Sequence, residues 1–114
     1  MQGDRYVRQM MMATTAVEIL RREPSHLSDP RLRDRLKSNY AGVQGEFYDR
    51  CYRQWMDLLS GGDVDLLTEQ VTANTELGGG LRTLSPLGTL IPSDIRQQII
   101  TDAMMHRPLL PAAA

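Results

Sequence analysis

The apolar positions of this chain recur every three or four residues over most of its length. The longest run of that spacing lies in residues 29–62. Leu32, Leu36, Tyr40, Val43, Phe47, Cys51, Trp55 and Leu58 form one stripe, widened on one side by Tyr48, Tyr52 and Leu59. This is the period of a helix face, whereas a half-buried strand would alternate every two residues. Arg35, Glu46, Asp49, Arg53 and Asp57 take the opposite face. Asp29 offers a capping carboxylate, Pro30 fits the first helical position, and Gly61 and Gly62 suit the turn that ends a helix. The pattern therefore predicts one central helix over 30–60, about 45 Å long at ~1.5 Å of rise per residue. Gly42 and Gly45 interrupt it. They mark either a kink that splits the rod or, with Ser38 and Ala41, a small-residue face where another backbone comes close.

A first helix is expected over 4–22. Tyr6, Met10, Ala13, Val17 and Leu20 form its seam, Val7 and Met11 broaden it, and Arg21 and Arg22 sit where the helix dipole favours cations. Pro24 ends it, and the short connector that follows predicts an antiparallel return along the central helix. A third helix is expected over 63–76, capped by Asp63, with Val64, Leu67 and Val71 in one row. The glycines at 78–80 read as a hinge. Residues 81–92 then carry loop punctuation at Pro86, Gly88 and Pro92 together with Leu81, Leu84, Leu87, Leu90 and Ile91. Such an apolar loop must be pinned, and we read it as pinned to its own bundle, with insertion into a neighbouring subunit as the other outcome. Ser93 caps a last helix over 93–106 with Ile95, Ile99 and Ala103 on its stripe. Pro108 stops it and leaves a loosely ordered tail at 108–114. The expected fold is all-α: one domain spanning 1–114, a small bundle of about four helices built on one long central helix.

At 114 residues the chain can bury one modest core. Its net charge of −1 exerts no general pull on nucleic acid or anionic membrane. The balance is uneven, with ten basic and eight acidic side chains in residues 1–60 against three and six in the remainder. Lys37 is the only lysine, so the positive charge is almost all guanidinium, the group suited to bidentate pairing. Cys51 is the single cysteine, which excludes an internal disulfide and a cysteine-based zinc site. No signal-peptide pattern or transmembrane run is present, so a cytoplasmic protein without a membrane partner is expected.

Candidate chemistry is sparse. Cys51 falls mid-helix on the apolar stripe, far from the helix N-terminus that would activate a thiol. His26 and His106 have no spacing to a nucleophile. Asp63 and Asp65 resemble the start of a calcium loop, but the twelfth position is Asn74, so capping accounts for Asp63 better. The 78–80 glycines followed by Arg82 could form a small anion-binding nest, though no strand or Lys-Ser/Thr pair makes them a Walker loop. Arg31, Arg33, Arg35 and Lys37 form a basic cluster, but it fans around the helix and is interrupted by acids. No basic recognition helix accompanies it. No enzyme activity, cofactor, metal or nucleic-acid partner is expected.

What remains is a non-enzymatic helical interaction module, acting as a homo-oligomer or as a subunit or adaptor of a larger assembly. Its expected surface comprises Met12, which lies off the first seam, then Tyr48, Tyr52, Trp55, Met56 and Leu59 on the central helix, and Leu84, Leu87 and Leu90 in the apolar loop. The alternative is a regulatory domain that holds an apolar effector among its Met, Tyr and Trp side chains.

Overall fold

The structure, a computed structural model, describes the backbone of residues 4–113 and the side chains of residues 5–105. Six α-helices follow one another, with no strand among the described residues. They are α1 (Asp4–Arg22), α2 (Pro30–Ala41), α3 (Glu46–Gly61), α4 (Val64–Val71), α5 (Glu76–Leu84) and α6 (Ser93–Ala113). Single 3-10 turns lie at Pro24–Ser28 and Leu87–Leu90.

The long central helix does not form. Its two halves are α2 and α3, and they fold back on each other as a hairpin. Arg33 near the start of α2 reaches Ser60 near the end of α3 at 3.1 Å, while Tyr40 at the end of α2 stacks on Tyr52 with ring centroids 4.2 Å apart. The cause is local. Gly45 adopts φ 114° and ψ 157°, a conformation essentially closed to L side chains, so the chain turns at residues 42–45. The α3 half of the apolar stripe is covered chiefly by α5, and α2 packs on α3 to a lesser extent. The signals at the outer ends hold: Asp29 Oδ1 accepts from the Arg31 amide at 3.0 Å, and left-handed Gly62 closes α3.

The first helix has its expected bounds but a different neighbour. It packs chiefly on α6, and also on α4, α5 and the Leu87–Leu90 turn, rather than running back along α2. The third helix is shorter than expected, with α4 ending at Val71, and a separate helix, α5, begins at Glu76 and takes in the residues read as a hinge and the start of the apolar loop. Thr75 ends the continuity by turning its hydroxyl onto the Gly78 amide at 3.0 Å, as the cap of a new helix. The three glycines at 78–80 therefore lie inside α5 and are not a hinge. Two of them are there for space: a β-carbon on Gly78 would collide with the Ala73 carbonyl, and one on Gly80 would stand 2.5 Å from Cys51 Sγ and 2.6 Å from the Phe47 ring. This is how α5 lies close against α3.

Leu81, Leu84, Leu87 and Ile91 are buried, so the apolar loop is pinned to its own bundle as read. The last helix runs beyond Pro108, which removes one helical hydrogen bond without ending the helix. The expected looseness of 108–114 lies outside the described side chains. One continuous buried cluster draws on all six helices, from Ala13 and Leu20 through Leu36, Trp55, Leu67 and Leu84 to Ile99. At its centre Trp55 is fully buried, and its indole N–H donates to the Leu81 carbonyl at 2.8 Å. Among the described residues no helix is long and apolar enough to cross a membrane.

Candidate functional site

The expected interaction residues separate into three groups. Trp55, Leu59, Leu84 and Leu87 are buried in the core, which takes them out of any surface of the folded chain. Trp55 is fastened to α5 through the Leu81 carbonyl. Tyr48, Tyr52 and Met56 remain half-buried along α3, beside α2. Met12 and Leu90 are also half-buried, but on a different side, where Met12 borders a cleft described below.

The α2–α3 hairpin presents a mixed aromatic and charged face. Tyr40 stacks on Tyr52, and Phe47 meets Tyr48 edge to face at 5.3 Å. Arg50 lies over the Phe47 ring, its guanidinium carbon 5.9 Å from the centroid. Two shallow depressions open here, one lined by Tyr40, Asp49, Tyr52 and Arg53, the other by Glu46, Phe47, Asp49, Arg50 and Arg53. The Tyr40 hydroxyl donates to the Asp49 carboxylate, which raises the Tyr40 pKa above its ordinary value of 10.0 because ionisation would break that bond beside a carboxylate.

A second, more enclosed feature lies between α1, α2, α5, the Leu87–Leu90 turn and α6. Two adjoining cavities of about 380 and 340 Å³ share Met12, Arg35, Ser85 and Gly88 in their walls. Four arginines from four helices line them: Arg8 from α1, Arg35 from α2, Arg82 from α5 and Arg96 from α6. No carboxylate lines either cavity among the described residues, and none of the four arginines makes an ion pair there. Arg82 is only 7% exposed. One of its amino groups donates to the Val71 and Ala73 carbonyls at 2.9 and 2.7 Å, holding the C-terminal end of α4. Arg96 holds the turn, donating to the Gly88 and Ile91 carbonyls at 2.7 and 3.2 Å. Asn39 ties α2 to the end of α5 through the Leu84 and Ser85 carbonyls. The Nε of Arg82 and the Nε of Arg96 are buried without a partner.

Sequence reasoning named Arg82 as part of a glycine nest, yet its partners are helix-end carbonyls and the glycines serve packing. It left Arg8 and Arg96 unremarked and put Arg35 on a solvated face. Only the folding back of α2, which turns Arg35 and Asn39 toward α5, assembles the cleft. Cys51 is buried under Gly80, and desolvation raises its pKa, which disfavours the thiolate. The described residues contain no group of three or more His, Cys, Asp or Glu placed to hold a metal ion. Comparison with protein-family models, with curated proteins and with solved structures finds no match to this chain.

Proposed function

We propose that the chain is a non-enzymatic helical protein–protein interaction module, working as a homo-oligomer or as a subunit of a larger assembly. The observation that carries this reading is the α2–α3 face. Tyrosine, phenylalanine and arginine are the side chains that concentrate binding energy at interfaces, and here they flank two depressions suited to a partner's side chains. Tyr48, Tyr52 and Met56 form its apolar part, with Arg50 and Arg53 at its rim. Trp55, Leu59, Leu84 and Leu87 no longer belong to it. The one thiol is buried and held protonated, which supports a non-catalytic role. A lone unpaired cysteine suits a reducing compartment, in keeping with a cytoplasmic setting. The apolar-effector alternative gains nothing from the cleft at α1, α2 and α5, whose walls carry four arginines.

Sedimentation equilibrium tests the homo-oligomeric form. The wild type is expected to associate at micromolar concentration, and Tyr52→Asp and the exposed Arg50→Glu to weaken association while keeping helical circular dichroism. A wild type that stays monomeric at high concentration rejects self-association through this face.

A further inference from the structure

We propose that the arginine-lined cleft between α1, α2, α5 and α6 is a binding site for a small polyanion of the phosphate class, such as a di- or triphosphate group. The site lies apart from the α2–α3 aromatic face and does not depend on that face's role. The chain as a whole is slightly acidic, with 14 acidic and 13 basic side chains, so four arginines and no carboxylate in one cleft is a local segregation, not a reflection of composition. Arg8, Arg35 and Arg82 border one of the two cavities and Arg35 and Arg96 the other, and among the described residues no carboxylate lines either to offset their charge. Arg82 adds a buried cation whose neighbours are the Val71 and Ala73 carbonyls and the Tyr6 ring, 5.7 Å from its guanidinium carbon, with no carboxylate beside it among the described residues.

The hydrogen bonding of Arg82 points to what would complete the site. A guanidinium offers a planar fork from Nε and Nη2 that matches two oxygens of an oxyanion. Arg31 uses this fork on Asp29, with its Nε 3.2 Å from Oδ1 and its Nη2 2.8 Å from Oδ2. In Arg82 only Nη1 is engaged, and Nε is buried with no acceptor among the described residues. The Nε of Arg96 is likewise unpaired. Arg82 and Arg96 are rigid, because each is tied to backbone carbonyls. Arg8 and Arg35 are exposed and free to close over a ligand from the other walls. Two fixed and two mobile guanidinium groups call for a ligand with several negative charges and many oxygens. A phosphate chain meets that need, and a single carboxylate does not. Met12 and Leu87 supply an apolar wall for a small organic group attached to the phosphates.

The test is calorimetric titration of the full chain with inorganic tripolyphosphate at physiological ionic strength, followed by amide and arginine Nε–H NMR. One saturable site is expected. Arg35→Ala and Arg8→Ala, which remove exposed side chains, should each weaken it about tenfold, the worth of one charge-assisted contact. Arg22→Ala, on the surface away from the cleft, should leave it unchanged. The Nε–H resonances of Arg82 and Arg96 should shift on binding. Absence of saturable binding overturns the proposal, as does equal weakening by Arg22→Ala, which would mark diffuse attraction. A glutamate-rich peptide that binds more tightly than tripolyphosphate with the same arginine dependence also overturns it, by assigning the cleft to a protein segment.

Discussion

Gly80 of α5 lies against Cys51 of α3 so closely that a β-carbon on the glycine would stand 2.5 Å from the cysteine sulfur. The Phe47 ring stands at 2.6 Å from the same position, and the cysteine sulfur sits one bond from its own β-carbon in a fully buried position. The two helices are therefore in contact through a place where only hydrogen fits. Gly80→Ala should destabilise the fold by about 1–3 kcal/mol through overpacking. Gly79→Ala should do the reverse and gain up to ~1 kcal/mol from helix propensity. Its β-carbon would meet only the Arg82 guanidinium at 3.9 Å. Urea denaturation of both variants checks the pair, and a gain at both positions would contradict the close approach.

The turn between α2 and α3 rests on backbone conformation rather than on space. A β-carbon on Gly45 would touch nothing within 4 Å, yet its φ of 114° is strained for any L residue. Gly45→Ala should cost about 1–3 kcal/mol. Gly61→Ala, inside the last turn of α3 with equal space around it, should be neutral or gain up to ~1 kcal/mol. Equal responses in chemical denaturation would argue for an unbroken helix through residue 45.

Trp55 joins α3 to the final turn of α5, where backbone carbonyls run short of helical donors. Its emission should be blue-shifted in the native state and move red on unfolding. Trp55→Phe keeps most of the buried ring but leaves the Leu81 carbonyl without its indole donor in a dry core. A loss of roughly 1–3 kcal/mol is expected from that orphaned acceptor, together with any cavity contribution. Native emission at the value found in water would place Trp55 outside the core.

The helical class and the outer ends of most elements were legible because they depend on local chemistry. Asp29 followed by Pro30, Asp63, Gly62 and the Pro24 break each act within a turn or two of chain. The positions of α2 and α3 were not legible, because a kink at Gly42 and Gly45 and a full reversal share one sequence pattern. The 78–80 glycines show the same limit in reverse. Three glycines in a row read as freedom, and only the Phe47 and Cys51 side chains, about thirty residues earlier, reveal Gly80 as a point of close contact. The arginine cleft was the least legible of all. Its members lie at positions 8, 35, 82 and 96, with no spacing to connect them: Arg82 read as part of a glycine nest, Arg35 as one of a local basic cluster, and nothing marked Arg8 or Arg96.

The Tyr40–Asp49 bond makes alkaline stability informative about the α2–α3 hairpin. The bond from the Tyr40 hydroxyl to the carboxylate is the largest cause of the raised tyrosine pKa, followed by partial burial and by the Asp49 charge. Tyr52 adds slightly to the rise and Arg53 opposes it. The fold thus favours the neutral phenol. Its contribution is complete below the ordinary tyrosine pKa and is lost as pH rises through the higher value of the folded state. Between neutrality and mildly alkaline pH, Tyr40→Phe should therefore be less stable than the wild type, and the difference should shrink once pH passes well above 10.0. Ultraviolet titration of the wild type minus Tyr40→Phe isolates the one phenol, which should ionise above 10.0. Asp49→Ala removes both the acceptor and the charge, so it should bring that ionisation back toward the ordinary value while leaving the helical content intact. A Tyr40 that titrates normally in the wild type would mean that the hydroxyl faces water, and that the stacked Tyr40–Tyr52 pair does not hold α2 against α3 in this register.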